Sequence, residues 1–235
     1  MGLTAPAELW LASLGQPGGG LLLDLDGTLL DSEPVHQGAY RQYFASRGWH
    51  VDDAVVREFA GRRAHEVFRS LKGPWTGEDP RALTEAVLGV LGASTVRPRP
   101  VPGATRLLAE CARVALPVAV VTSARLGWVL AALELLGARP DLPVISAQDY
   151  SRGKPDPHPY LLGARRLGLR AGGLVAAEDS PAGIASAIGA GVGHVLGVTT
   201  THRAHVLDAA GASTTAPDLM LLAEAVATLP SPHNG

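Results

Sequence analysis

Short apolar runs alternate with amphipathic stretches along most of the chain, and this alternation predicts the architecture. The runs that are typical of strands buried on both faces of a parallel sheet lie at residues 21–25, 118–121, 144–145, 174–177 and 192–198. Helical spacing of apolar residues predicts helices between them, at 104–114, 127–136, 158–167, 181–190 and 219–229. This alternation predicts an α/β fold with a doubly wound parallel-sheet core of Rossmann-like type.

One long stretch departs from the alternation, because residues 34–96 show helical periodicity and no strand-like run. Its first helix is predicted to begin near Ser32, a typical N-cap residue, with Pro34 in the first turn. Further amphipathic helices are predicted at 52–71 and 80–91. A helical stretch placed between the first strand and the later strands predicts an inserted helical domain.

Two linkers rich in glycine or proline divide the chain into its predicted parts. A glycine-rich segment follows a weakly helical N-terminal piece, and a proline-rich segment at 96–103 leads back from the helical stretch to the strands. We predict an N-terminal extension without assigned function at 1–19, a core at 20–33 and 97–230, and a helical cap domain at 34–96.

The composition indicates a globular protein with a substantial core, because 46% of the 235 residues are hydrophobic and 18% are charged. The formal net charge is −2 and no basic tract is present, which argues against a nucleic-acid partner. No apolar run reaches the ~18 residues of a membrane span, and the N-terminus lacks the pattern of a secretory signal. We therefore expect a cytoplasmic protein with no membrane partner, and we expect a monomer because no apolar helix stands outside the two predicted domains.

The single cysteine, Cys111, excludes an internal disulfide and fits a reducing compartment. It lies in a helix-like run with Leu107 and Leu108. We therefore predict a buried thiol that packs in the core, and not a nucleophile.

Polar groups of complementary kinds follow three of the predicted strands and one proline-rich loop: Asp24 and Asp26, Thr122 and Ser123, Glu178 and Asp179, and Lys154. In an open α/β sheet these segments meet at the carboxyl edge. Carboxylates without a neighbouring His or Cys are ligands for a hard cation, and Mg²⁺ is the usual choice. A lysine, hydroxyls and the backbone amides of Gly27 and Thr28 suit a phosphate. The combination predicts a site for phosphoryl transfer.

Each of these residues also has a simpler interpretation when it is taken alone. Ser123 is suited to cap the helix that follows it, and Lys154 to a solvated loop. Glu178 and Asp179 are suited to a helix N-terminus. It is their occurrence together, in this order and at strand ends, that favours the functional interpretation.

These segments resemble the four motifs of the haloacid dehalogenase-like hydrolases. The matching sequences are D-L-D-G-T at 24–28, V-T-S at 121–123, G-K-P-D-P at 153–157 and E-D-S-P-A-G-I at 178–184. The helical insert resembles the small cap of the branch that holds β-phosphoglucomutase, phosphoglycolate phosphatase and the sugar- and glycerol-phosphate phosphatases. The resemblance covers about residues 20–230, and the first and fourth motifs are its most specific part.

The resemblance implies a covalent mechanism that uses an aspartyl-phosphate. It implies that Asp24 is the nucleophile and that Asp26 is the general acid and base, for which we expect a raised pKa. Ser123 and Lys154 are then expected to hold the transferring oxygens.

The resemblance also implies the groups that bind the cofactor and the phosphate. The expected Mg²⁺ ligands are Asp24, the main-chain carbonyl of Asp26, Asp179 and, at or near the metal, Glu178. The expected phosphate-binding residues are Gly27, Thr28, Thr122, Ser123 and Lys154.

The predicted cap is expected to select the substrate, a small phosphorylated metabolite. The residues expected to reach into the site are His36, Gly61, Arg62, Arg63 and Lys72, although the two arginines are equally compatible with a solvated surface. Trp49 and Trp75 are predicted to lie in the core of the cap, and His202 and His205 in a loop that the mechanism does not need.

The preferred function is a Mg²⁺-dependent phosphatase that hydrolyses a small phosphomonoester, such as a sugar, deoxysugar or glycerol phosphate. The alternative is a phosphomutase of the β-phosphoglucomutase type; a phosphoglycolate phosphatase and a non-catalytic relative are less favoured. A dehalogenase needs no metal, so the pair Glu178 and Asp179 argues against it. A nucleotide-binding module is also disfavoured. The glycine-rich run 189–193 follows a predicted helix and precedes a strand, whereas the dinucleotide-binding motif follows a strand and precedes a helix.

Overall fold

A computed structural model describes residues 5–231 of the protein. The strands are β1 (Gly20–Leu23), β2 (Leu30–Asp31), β3 (Arg99–Pro100), β4 (Val118–Val121), β5 (Val144–Ile145), β6 (Leu174–Glu178), β7 (His194–Val198) and β8 (Thr214–Ala216). The helices are α1 (Ala5–Leu14), α2 (Glu33–Ser46), α3 (Asp53–Arg57), α4 (Ala64–Ser70), α5 (Pro80–Gly92), α6 (Ala104–Arg113), α7 (Leu126–Leu135), α8 (His158–Leu167), α9 (Pro181–Gly189), α10 (Ala204–Ala209) and α11 (Met220–Ala227).

The core is a six-stranded sheet with the order β5-β4-β1-β6-β7-β8, and every pairing in it is parallel. Strand β1 lies at the centre, where Leu22 is paired with Ala119 on one side and with Ala176 on the other. Helices cover both faces of this sheet. The predicted α/β doubly wound fold is therefore confirmed.

The alternation of side chains along each strand explains why the strand sequences are apolar without interruption. In β1, Leu21 and Leu23 join the hydrophobic cluster under α1, α6, α7 and α11, whereas Leu22 joins the cluster under α8, α9 and α10. Strand β4 divides in the same way, with Val118 and Val120 on the first face. Both faces are buried, so no position on these strands requires a polar side chain.

The helical insert, α2–α5, is connected to the core through a short antiparallel ribbon of β2 and β3. Leu30 pairs with Pro100 and Asp31 with Arg99, and a proline is tolerated there because the strand lies at an edge. The two segments that connect the insert to the core therefore lie next to each other.

The insert has a hydrophobic cluster of its own that is rich in aromatic side chains. Phe44 and Trp75 stack with their ring centroids 5.3 Å apart, and Phe59 and Phe68 pack around them. Trp75 is buried and Trp49 packs against the cluster, which agrees with the prediction for both tryptophans. Aromatic rings supply much buried area per residue, which suits a small helical unit.

The structure differs from the predicted elements at several places. The stretch 52–71 is two helices and not one, because the chain turns between α3 and α4 at Gly61, which has a φ of +68°. Strands β2, β3 and β8 and helix α10 were not predicted, since such short elements show little periodicity. His205 lies in α10, so the prediction of a loop there was wrong.

Part of the predicted N-terminal extension packs on the core. Trp10 and Leu14 of α1 are buried in the same cluster as Leu107 and Leu222. Residues 1–4 of the predicted extension lie outside the described residues. None of the described helices has both the length and the apolarity needed to cross a bilayer.

The position of Cys111 gives a test of the packing under α6. Its side chain is 1% exposed and burial raises the pKa of the thiol to about 12. We expect the native protein to react with a chromogenic disulfide reagent at about pH 8 roughly a thousandfold more slowly than the protein in guanidinium. The Cys111→Ser protein, measured in the same way, gives the background signal of the reagent. Rapid stoichiometric labelling of the native protein would contradict this packing.

Candidate active site

The sheet brings the three predicted polar strand ends together at its carboxyl edge. Asp24 follows β1, and Thr122 and Ser123 follow β4. Glu178 is the last residue of β6, and Asp179 follows it. Because β1 lies between β4 and β6, these groups become neighbours. Carboxylate oxygens of Asp24, Glu178 and Asp179 lie within 4.8 Å of one another, and all three residues are buried.

Lys154 is the cation of this acidic cluster, and its side chain is completely buried. Its Nζ donates to Asp24 Oδ1 at 2.5 Å, to the carbonyl of Val121 at 3.0 Å, and to Glu178. Burial alone would lower the pKa of Lys154, but the two carboxylates more than offset this and raise it. The lysine is therefore charged, and it is not the solvated loop residue of the simpler interpretation.

Several carboxylate oxygens of the cluster remain without a partner. Asp24 Oδ2 and both oxygens of Asp179 are buried and have no hydrogen bond to a described residue. Burial, together with the charges of Asp24 and Glu178, raises the pKa of Asp179 well above its usual range. Unpaired buried carboxylates are costly, and oxygen donors at this spacing fit a hard cation such as Mg²⁺.

Glu178 differs from the two aspartates because its oxygens are already used. Its Oε1 accepts from Lys154 and from the hydroxyl of Tyr160, the latter at 2.8 Å. Its Oε2 accepts from the hydroxyl of Ser180 at 3.1 Å and from the amide of Asp179 at 3.2 Å. The geometry suits a residue that orients Lys154 and the start of α9 more than it suits a metal ligand.

The backbone amides of the loop after β1 donate hydrogen bonds within the loop itself. Gly27 N donates to the carbonyl of Leu30 at 2.7 Å, and Thr28 N donates to the carbonyl of Leu25 at 3.3 Å. These two amides, which were expected to bind a phosphate, are therefore not available in this structure. Gly27 is required here for another reason, because a Cβ on it would lie 1.9 Å from Asp179 Oδ2.

Other groups of the same edge are free to bind an anion. Among residues 5–231, the amides of Leu25, Asp26 and Ser123 make no hydrogen bond. The hydroxyl of Thr122 accepts from the amide of Ala124 at 3.0 Å, so it shapes this turn. Free amides that face one edge of a sheet are a typical anion site.

Asp26 is surrounded by donors. Its Oδ1 accepts from the hydroxyl of Ser32 at 2.6 Å, from Nε1 of Trp128 at 2.9 Å and from Nε2 of His36 at 3.2 Å. Ser32 begins α2 at the predicted position, but its side chain bonds Asp26 and does not cap the helix.

The expectation of a raised pKa for Asp26 was wrong. Burial would raise the pKa of this carboxyl, but His36 and the donors on Oδ1 outweigh burial and lower it. Burial would likewise lower the pKa of His36, but the carboxylates of Asp26 and Glu33 raise it. The proton of this pair therefore lies on the imidazole.

The insert contacts the core directly above this edge. The hydroxyl of Ser123 donates to the carbonyl of Gly61 at 3.0 Å, so in this structure its proton is directed at the insert. Arg63 donates to the carbonyls of Ala147 at 2.6 Å and Ser151 at 3.1 Å. Its guanidinium also lies over the ring of Tyr150, 5.0 Å from the centroid. Arg63 therefore attaches the insert to the core instead of extending freely toward a substrate.

A cavity of about 750 Å³ lies between insert and core, and this size is typical of a small-molecule site. The core contributes Asp24, Asp26 and Trp128 to its wall, and the insert contributes His36 and Arg62. Arg62 Nε is buried without a partner among the described residues. Gly61 and Arg63 also line the cavity, whereas Lys72 does not, so its predicted reach into the site was wrong.

Comparisons with known proteins agree with this geometry. A profile of the haloacid dehalogenase-like hydrolases matches residues 20–191. The chain is 37% identical over 191 residues to a validoxylamine A 7'-phosphate phosphatase from Streptomyces hygroscopicus subsp. limoneus, covering 79% of this chain and 88% of that protein. It is 33% identical over 179 residues to hexitol phosphatase A of Escherichia coli, covering 76% and 82%.

The chain belongs to the haloacid dehalogenase-like hydrolases. It is therefore an enzyme of the hydrolase class, and the two relatives named above are phosphatases. The crystal structure of a hydrolase from Pseudomonas syringae superimposes with a TM-score of 0.81 at 21% identity, covering 87% of this chain and 96% of that one, which supports the fold.

Four residues of this hydrolase site had not been assigned to it from the sequence. Trp128 and Ser32 bond Asp26, and Tyr160 bonds Glu178. His202, which was expected to lie in an unneeded loop, places Nδ1 3.0 Å from the carbonyl oxygen of Asp179. Trp128 is separated from Asp26 by 102 positions in the chain, and no local pattern reports such a contact.

Gly61 gives a test of the approach between insert and core. A Cβ at Gly61 would lie 2.2 Å from Ser180 Oγ, whereas one at Gly48, which has the same φ of +68°, would meet nothing within 4 Å. We expect both alanine variants to lower the free energy of unfolding by about 1–2 kcal/mol, because both strain the backbone. Only Gly61→Ala should also lower kcat/KM for a phosphate ester, by roughly tenfold. Equal kcat/KM in the two variants would argue against a catalytic need for this close approach.

Proposed function

We propose that this hydrolase is a Mg²⁺-dependent phosphatase that cleaves a small polyhydroxylated phosphate ester through an aspartyl-phosphate on Asp24. The observation that carries this proposal is the state of the Asp24 carboxylate. One oxygen is bound to the buried Lys154, and the other is free beside the unpartnered oxygens of Asp179. A carboxylate held in this way is oriented for nucleophilic attack.

Asp24, Asp179 and the main-chain carbonyl of Asp26 would hold the Mg²⁺, and Glu178 would orient Lys154 beside it. When bound, the cation supplies positive charge that offsets the repulsion between an anionic phosphate and the Asp24 carboxylate. The unpartnered oxygens of the two aspartates support this assignment.

In the first step, a carboxylate oxygen of Asp24 attacks phosphorus while the ester P–O bond breaks. The leaving oxygen takes a proton from Oδ2 of Asp26, so Asp26 enters this step as the neutral acid and leaves it as a carboxylate whose Oδ1 is bound by Ser32, His36 and Trp128. The free amides of Leu25, Asp26 and Ser123 donate to the transferring oxygens, and the buried positive charge of Lys154 beside Asp24 offsets the negative charge there.

In the second step, water attacks the phosphorus of the aspartyl-phosphate. Asp26 takes a proton from this water, the bond between phosphorus and Asp24 breaks, and orthophosphate leaves.

The substrate class follows from the cavity and from the relatives. Residues 34–96 act as the cap domain, and Arg62 is a cap residue that lines the cavity. The two relatives are named as phosphatases of validoxylamine A 7'-phosphate and of hexitol phosphate. A sugar or polyol phosphate whose hydroxyl groups reach Arg62 fits this space. Exchange of such a substrate would need the cap to open about the ribbon of β2 and β3.

The test is the release of inorganic phosphate from a panel of sugar, polyol and glycerol phosphates, with Mg²⁺ and with chelator. We expect metal-dependent release that Asp24→Asn abolishes, by at least about 1,000-fold in kcat, while the fold is retained in circular dichroism. Asp208→Asn, which changes an exposed aspartate on α10, should keep full activity and serves as the matched control.

Other outcomes would redirect the assignment. Conversion of a hexose 1-phosphate into its 6-phosphate without release would favour the mutase alternative. Activity of Asp24→Asn near that of the wild type would exclude the nucleophile assignment. Full activity in chelator would exclude the metal.

A further inference from the structure

The two oxygens of the Asp26 carboxylate have very different surroundings. Oδ1 accepts three hydrogen bonds, from Ser32, His36 and Trp128. Oδ2 makes none with the described residues, and Asp26 lines the cavity with 14% of its side chain exposed. Oδ2 is thus the oxygen left to face a leaving group or a water.

The three donors reach Oδ1 from different parts of the molecule. Ser32 and His36 belong to the start of the insert, whereas Trp128 lies in the first turn of the core helix α7. The residue after it, Val129, is completely buried against the sheet, which fixes this turn. Trp128 is therefore the donor that ties the Asp26 carboxylate to the core.

Trp128 also supports the second donor. The rings of His36 and Trp128 meet edge to face, with centroids 5.0 Å apart and planes at 75°. Packing of this kind favours one orientation of the imidazole, the one that points Nε2 at Asp26. One side chain thus restrains both Asp26 and His36.

We propose that Trp128 is a positioning residue for proton transfer at Asp26. The terminal torsion of an aspartate is broad, so donors are needed to fix the plane of its carboxylate. The indole N–H donates without exchanging its proton in the reaction, and it therefore orients Oδ1 while Oδ2 remains free. This inference rests on the proposed role of Asp26 as general acid.

The experiment compares two substrates that differ in their need for a proton. An alkyl phosphate, such as a hexitol phosphate, expels a basic alkoxide, whereas p-nitrophenyl phosphate expels a stable phenolate. The value of kcat/KM reports the step in which the leaving group departs. Loss of proton transfer therefore lowers kcat/KM for the alkyl ester selectively.

We expect Trp128→Phe to lower kcat/KM for the alkyl phosphate roughly tenfold and to change the value for p-nitrophenyl phosphate less than about twofold. Phenylalanine keeps an aromatic ring in the cavity wall and removes the N–H. Trp128→Leu is the second variant and should show the same selectivity. The test can therefore be made even if only one of the two variants folds. Leu130→Ala, on the exposed side of the same helix, is the control and should leave both values unchanged.

Asp26→Asn separates a failure of this inference from a failure of the proposed function. In one outcome, Asp26→Asn lowers kcat/KM selectively for the alkyl ester, but the Trp128 variants lower kcat/KM for both esters equally or leave both values unchanged. The role of Trp128 is then overturned and the proposed function stands. If Asp26→Asn shows no selectivity, the general-acid role of Asp26 fails and the inference fails with it.

Discussion

The arrangement of the site depends on one buried charge contact, in which Lys154 lies between the carboxylates of Asp24 and Glu178. Lys154 and Glu178 are completely buried and Asp24 is 2% exposed, so the charge of the lysine and those of the carboxylates stabilise one another. Removal of one member of such a buried pair typically costs about 3–5 kcal/mol. The lysine arrives on a loop and the carboxylates on β1 and β6, so this contact joins three separate segments around the central strand.

The insert covers the carboxyl edge of the sheet and is held there by direct contacts with the core. Ser123, the backbone of the 147–153 loop and Ser180 meet Gly61, Arg63 and Glu66 of the insert. These contacts leave a cavity with Asp24 and Asp26 on its core side and Arg62 on its insert side. In the proposed function, the core would carry out the chemistry and the insert, which has its own hydrophobic cluster, would select the substrate.

Much of the fold could be predicted from the sequence because its signals are local. The apolar runs of β1, β4 and β6 are continuous since both faces of the sheet are covered, and the polar residues after each run mark its carboxyl end. Elements of two or three residues, such as β2, β3 and β8, were missed because they are too short for periodicity. The turn at Gly61 was missed because amphipathic spacing continues through it from α3 to α4.

The sequence by itself determined the α/β architecture, the presence of a helical insert and the residues that form the acidic cluster. Only the tertiary structure decided how their charges are distributed. The pKa of Asp26 is lowered, not raised, because its carboxylate accepts from His36 on the first helix of the insert and from Trp128, 102 positions away in the chain, and these outweigh its burial. Arg63 is bound to the core, and the amides of Gly27 and Thr28 are bound within their own loop. Residue identity and spacing specify which groups are available, but hydrogen-bond partners and burial set their protonation and orientation, and these depend on the folded geometry.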